Sequence, residues 1–244
     1  MATRQLDFSA IWNDAIALMK SNREIALALA GVFFLLPALA MPFLLTPIAT
    51  VVDPTPEQTM QMIQNWLTVN WYWFTLLLIV GIIGALSFNI LLLDPKKPTV
   101  GDALRQAMTL SPALLLARIM ITFAVAIGVL FLIIPGVYLA VKFILVEPVI
   151  GAENQRNPLV AMQRSWELTR GNSLRIFSFL LIVAIVSVIT FFVISLISNV
   201  VIMLLLPAAV AAVVTEIIGA ILQTVLSLLF LFLYAAIYRQ ITMA

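Results

Sequence analysis

Apolar positions along this chain fall in long unbroken blocks, with none of the polar alternation of a strand between two environments. The blocks cover residues 25–46, 71–93, 113–134, 137–152, 175–198 and 212–237. A helix needs about 20 apolar residues to cross a hydrocarbon core about 30 Å thick. Each block therefore predicts a membrane-spanning helix. The fourth is short and follows Pro135-Gly136, which predicts a tilted segment, a re-entrant one, or one joined tightly to the third. Between Ile176 and Tyr238 only Asn199 and Pro207 mark a turn.

Shorter amphipathic stretches precede the first, third and fifth spans, and each predicts an interfacial helix: 7–20, 100–110 and 158–170. In the first, Phe8, Ile11, Trp12, Ala15 and Met19 share one helical face. In the second, Thr99 and Asp102 resemble a capping box ahead of Val100, Leu104, Ala107 and Met108. In the third, Asn157 suits the cap, Pro158 the first helical position and Gly171 the residue past the end, with Leu159, Met162, Trp166 and Thr169 forming the stripe. The three align without gaps. Ala15-Ile16-x-Leu18 matches Ala107-Met108-x-Leu110 and Ser165-Trp166-x-Leu168, and Lys20-Ser21-Asn22 matches Arg170-Gly171-Asn172. This suggests three repeats of an interfacial helix followed by a transmembrane hairpin. On another loop, Thr55-Pro56-Glu57-Gln58 reads as a capped helix start, predicting a short surface helix from Pro56 to about Leu67.

Composition fixes the solvent. Of 244 residues, 64% are hydrophobic and 10% charged, against about 25% charged in soluble domains. In lipid, backbone groups must pair within the protein, which leaves helices or a closed barrel. Barrel strands run about ten residues with a period of two, unlike these blocks. The expected fold is all-α: a polytopic transmembrane helical bundle of six spans in a single integral membrane domain, residues 1–244.

Charge orients it. Arg4, Lys20 and Arg23 precede span one; Lys96, Lys97 and Arg105 lie between two and three; Arg156, Arg164, Arg170 and Arg175 lie between four and five; Arg239 follows six. The opposite loops carry Asp53, Glu57 and Glu216 but no Lys or Arg. Excess Lys and Arg in short loops marks the cytoplasmic side, so both termini are expected there. Trp66, Trp71, Tyr72 and Trp73 suit an aromatic belt at the outer boundary. No short apolar run with a cleavage site precedes Ile25, so no removable signal peptide is expected.

The net charge of +2 and pI near 9.2 follow from this asymmetry and do not point to nucleic acid. The expected partners are membrane lipids with anionic headgroups at the cytoplasmic face, each Lys or Arg there being worth about 1 kcal/mol. A protein partner docked on the interfacial helices, or a homo-oligomer, is the sharper alternative to simple anchorage.

Chemistry is sparse. With no cysteine and no histidine, thiolate nucleophiles, disulfides, the usual zinc and haem ligands and a Ser-His-Asp triad are excluded. No catalytic residue, cofactor or metal site is expected. Ser111, Ser165 and Thr169 read as capping or packing hydroxyls, and Gly81, Gly84 and Gly128 as helix-packing positions. Arg118, Lys142 and Glu147 lie within apolar spans, where ionisable groups are functional candidates. Counted from the cytoplasmic edge, Arg118 and Glu147 share a depth and could pair. Counted from the Pro135-Gly136 turn, they are about six residues, roughly 9 Å, out of step. Asn89 and Asn199 suit interhelical hydrogen bonds or helix ends.

The segment from Ile133 to Phe177 carries a recognisable pattern. It runs Ile134-Pro135-Gly136-Val137-Tyr138-Leu139, then Glu147-Pro148 and Glu153, then Ala161-Met162-x-Arg164-Ser165-Trp166-Glu167-Leu168-Thr169-Arg170-Gly171-Asn172. It resembles the YciC-type bacterial membrane proteins and the membrane domain beside some glycerophosphodiester phosphodiesterases, a group distantly similar to the Yip superfamily. The segment from Asp7 to Asn22 and Tyr238-Arg239 fit as well. The resemblance implies a multi-pass protein of the bacterial cytoplasmic (inner) membrane, without a catalytic domain of its own here. It makes Pro135-Gly136 the turn between spans three and four and puts Ser165-Trp166 in the cytoplasmic helix. The expected role is non-enzymatic, organising or sensing the membrane in lipid or envelope homeostasis. The alternative is a transporter or transporter subunit with a polar path near Arg118, Lys142 and Glu147.

Overall fold

A computed structural model describes residues 6–48 and 53–242; Arg4 lies outside them. Among the described residues the secondary structure is entirely helical, in the order α1 (Phe8–Ser21), α2 (Arg23–Ala30), a π-helical turn (Gly31–Leu35), α3 (Leu36–Leu44), α4 (Pro56–Leu93), α5 (Val100–Phe131), α6 (Ile133–Lys142), α7 (Val146–Ala152), α8 (Pro158–Leu168), α9 (Ser173–Leu205) and α10 (Ala208–Thr242). Six spans are long and apolar enough to cross a membrane: α2 through α3, α4, α5, α6 through α7, α9 and α10. The first span is a helix widened by one π turn, and the fourth is two helices separated at Phe143–Leu145.

Two boundaries differ from the sequence expectation. The surface helix at Pro56 does not end near Leu67 but continues as α4, 38 residues in all, about 57 Å. The α3–α4 loop folds back on it: Asn70 is buried, accepts from the Thr46 amide at 2.9 Å and donates to its hydroxyl at 2.8 Å, while the Trp66 indole donates to the Thr46 carbonyl. The second interfacial helix is likewise continuous with its span in α5, running through Pro112. Proline removes the amide that would bond the Met108 carbonyl. The Ser111 hydroxyl takes that carbonyl instead, at 2.9 Å, so the helix continues.

The aligned segments nevertheless bury the same positions. Ile11 and Ala15, Ala103 and Ala107, and Ala161 and Ser165 are all buried. The large apolar side chains of the stripes, Trp12, Met19, Met108, Leu159 and Trp166, stay exposed. Each segment thus packs one row on the bundle, which includes the large Ile11, Leu18 and Leu110 as well as small residues, and leaves other large apolar side chains facing outward. Asn22 and Asn172, which align, both sit between an interfacial helix and a span with similar backbone angles (φ −120°, ψ 20° and φ −118°, ψ 3°). Leu114 aligns with them, and no break occurs there. Gly171, at φ 82°, supplies the left-handed residue past α8.

The core lies toward the end of the bundle that carries the basic residues. Leu86, Phe88 and Ile90 of α4, Leu110 and Leu114 of α5, Val149 and Ile150 of α7, and Leu233 and Ile237 of α10 meet there. The opposite end of the α5–α6 hairpin is an apolar tip: Leu130, Phe131, Leu132, Ile133 and Ile134 are each more than two-thirds exposed.

Candidate functional site

The position of the hairpin turn decides which charges meet. The turn is Leu132, extended at φ −163°, ψ 146°, not Pro135-Gly136. Pro135 instead occupies the first turn of α6, where its missing N–H costs no helical bond. Gly136 lies against α5: a Cβ there would overlap the Val129 side chain and come within 2.8 Å of the Val129 nitrogen. A Cβ on Gly128 would come within 2.9 Å of the Gly136 Cα. This closely apposed register, centred three residues earlier than expected, removes the mismatch in depth. Arg118 and Glu147 then face each other, with Arg118 Nη2 2.6 Å from Glu147 Oε2.

Asn89 of α4 completes the cluster. Its amide nitrogen donates to Glu147 Oε1 at 3.1 Å and to the Ala85 carbonyl at 2.9 Å. Its own Oδ1 is buried with no hydrogen-bond partner. Asn89 stands five residues before the α4 end at Asp94, about 8 Å inside the basic end. The Glu147 side chain is 16% exposed and that of Arg118 38%. They open on a recess of about 220 Å³ whose wall includes Phe34, Gly81, Ser227 and Tyr234, room for several waters at about 30 Å³ each. Phe34 belongs to the π turn, whose neighbour Phe33 packs so closely on Gly84 that a Cβ there would overlap it. Gly84 is therefore a packing glycine, whereas Gly81 has open space around it and borders the recess. The cluster can neutralise charge within the apolar layer and present guanidinium N–H groups to the recess.

Lys142 does not join this cluster. It is buried at the end of α6, with Nζ 5.4 Å from the Tyr138 ring centroid and 5.1 Å from that of Trp166. Aromatic faces attract an ammonium electrostatically, so two rings take the place of a carboxylate. Trp166 also packs on Phe143, at 5.7 Å between centroids. The Lys142 carbonyl, left over at the helix end, accepts from the Ser165 hydroxyl at 2.8 Å and from Thr169 at 3.5 Å. Ser165, Trp166 and Thr169 thus fasten α8 onto the break between α6 and α7. Leu168 packs beside the core, and Pro148 is buried in α7.

Glu153 forms the second fastening. Arg164 Nε lies 3.2 Å from Glu153 Oε1, and the Tyr238 hydroxyl donates to the same oxygen at 3.0 Å. One carboxylate so ties α7, α8 and α10. Arg239 pairs with Asp14 at 3.3 Å, which fixes α1 across α10. The contact of Asn70 with Thr46, and the place of Tyr234 beside Glu147, had no local sequence signal, because each joins distant segments. Asn199, expected to hydrogen-bond between helices or mark a helix end, makes such an interhelical bond, accepting from Thr215 of α10 at 3.3 Å.

Residues 25–241 match a family described as a domain of unknown function (DUF7847). No curated protein and no solved structure matches the chain.

Proposed function

We propose that this chain, which belongs to the DUF7847 family, is a non-enzymatic protein that organises or senses the lipid bilayer at its basic end. In this reading the basic end faces the cytoplasm, both termini lie there, and the membrane is the inner membrane of a bacterium. Kinship with the YciC-type proteins is part of the same proposal.

The observation that carries it is the division of the interfacial segments into two rows. One row, with Ile11, Ala15, Leu110 and Ala161 in it, packs on the bundle, while Trp12, Met19, Met108, Leu159 and Trp166 are exposed beside Lys20, Arg105 and Arg170. Such a face buries apolar side chains in the headgroup boundary while its cations meet anionic lipid. The intramembrane polar groups support the same reading. Several serine and threonine hydroxyls in the spans bond back to their own helices, as Thr122 does to Arg118, Thr224 to Ala220 and Ser227 to Gln223.

Extraction into native nanodiscs, followed by mass spectrometry of the retained lipid, tests the role. Enrichment of anionic lipid over the bulk membrane is expected; a retained lipid composition equal to the bulk overturns it. The recess beside Arg118 and Glu147 favours a second reading, transport. That reading requires a cysteine in Ser227→Cys to react with water-soluble maleimide from each side of the membrane in turn.

A further inference from the structure

Two apolar grooves flank Trp12 on the face where α1 crosses the bundle. One, of about 560 Å³, runs between α9 and α10 beneath Phe8 and Trp12. The other, of about 670 Å³, lies between α1, α2 and α10. They share Trp12, Val225 and Leu229, so they are two arms of one surface divided by the indole.

Their shape and charge specify an occupant. Along α9 the first arm extends from Phe179 to Ile194, a rise of about 22 Å. That is the length scale of an acyl chain, which must fill roughly half of a 30 Å core. A methylene takes about the space of a water, near 30 Å³, so each arm accommodates one chain of common length. The walls are almost wholly carbon. The first arm has only the hydroxyls of Ser187 and Thr190, and the charged exceptions sit at one place: Lys20 and Arg23 line the second arm at the basic end. Both are exposed. The ion pairs found among the described residues join Arg118, Arg164 and Arg239 to acids and leave these two cations out. Asp14, the acid of α1 nearest to them in sequence, is already engaged by Arg239. Glu24 neighbours Arg23 in sequence but does not line the groove.

From this juxtaposition we infer that the α1 face is a binding site for a single two-chain anionic phospholipid. Its phosphate sits at Lys20 and Arg23, and its acyl chains straddle Trp12. This deepens the proposed membrane-organising role and rests on it, since it names the ligand and the place of one specific contact. A bulk preference for anionic lipid needs only a basic surface. A retained stoichiometric lipid needs the cleft.

Native mass spectrometry of the full chain, released from micelles doped with phosphatidylglycerol or phosphatidylcholine, separates the two. The wild type should keep one phosphatidylglycerol and lose phosphatidylcholine more readily. The exposed pair Lys20→Gln/Arg23→Gln should weaken phosphatidylglycerol retention about fivefold per cation removed, the equivalent of about 1 kcal/mol each. Val225→Trp, at an exposed wall position shared by both arms, should abolish retention of either lipid while leaving the protein monodisperse. Absence of a discrete adduct in the wild type overturns the site, as does retention untouched by Val225→Trp. A dimer that forms in place of the adduct overturns it in favour of a second copy as occupant. If nanodisc enrichment of anionic lipid persists without an adduct, the site fails and the broader role stands. Loss of both removes the two together.

Discussion

Replacing Glu147 with leucine tests the reading of the intramembrane cluster. Two unit charges about 4 Å apart attract by about 4 kcal/mol at an effective dielectric constant near 20, but removing both ions from water offsets much of this. The measurable quantity is the penalty for leaving one behind. An arginine at the centre of a spanning helix costs about 2.5–3.5 kcal/mol on insertion scales. Arg118 lies near the basic end and its side chain is 38% exposed, so it can reach toward the headgroups. Glu147→Leu is therefore expected to cost about 2 kcal/mol. Arg118→Leu should cost at least as much, because Glu147 is 16% exposed and keeps only Asn89 as a partner. The double variant removes both charges and should lie within about 1 kcal/mol of wild type, giving a coupling of about 3 kcal/mol or more, the top of the usual range. Reversible unfolding in mixed lipid–detergent micelles, titrated with dodecyl sulfate, measures all four proteins. Single costs that add in the double variant to within about 0.5 kcal/mol would refute the pairing, and so would two silent single variants.

The close helical approach and the α8 fastening give two further expectations. Gly136→Val forces a side chain into Val129 and the α5 backbone, so it should destabilise by about 1–3 kcal/mol, seen as a lower midpoint in the same titration; Gly81→Ala, with open space around it, should be silent. Ser165→Ala removes the 2.8 Å bond to the Lys142 carbonyl, which keeps Thr169 at 3.5 Å, and should cost about 0.5–1.5 kcal/mol, with faster proteolysis at the α7–α8 loop as an independent readout.

How far the fold was legible follows the range of each signal. Apolar block length and the Thr55 and Thr99 caps are local, and the helices they predict are present. The start of α4 at Pro56 is legible from its cap, but the surface helix expected to end near Leu67 and the interfacial helix expected over 100–110 each run on into the next span. No local signal shows this continuity, and at Pro112 it depends on the Ser111 hydroxyl taking the Met108 carbonyl. The turn at Leu132 was hidden because Pro-Gly is a strong turn signal and Leu132 is none. Only the packing of Gly136 on α5 moves the turn three residues earlier. With it went the answer to whether Arg118 meets Glu147, since register decides which charges face each other. Lys142 had the same handicap: its rings come from its own helix, at Tyr138, and from α8, at Trp166, and only the fold brings the second one near. The amphipathic stripes were visible as patterns, but which of their residues pack inward depends on what α10 presents to α1, α4 to α5 and α7 to α8.

The tip of the α5–α6 hairpin has a mechanical consequence. From Phe123 to Val137 no side chain is polar, so the tip has no group that would hold it at a headgroup layer. At the other end, Asn89 with Glu147, Ser165 with Lys142, and Glu153 with Arg164 and Tyr238 clamp the same hairpin to α4, α8 and α10. The hairpin is a cantilever, fixed at one end and free at the other. Its neighbours α9, α10 and α4, at 33 to 38 residues, overreach a hydrocarbon layer of about 30 Å and take up thickness changes by tilting, whereas the arm from Arg118 to Leu132 rises only about 21 Å. The cantilever has a fixed reach, so a thinner bilayer brings headgroups directly onto Leu130–Ile134, at a fraction of a kcal/mol per Å. Any such load is transmitted to the clamp beneath the interfacial helices.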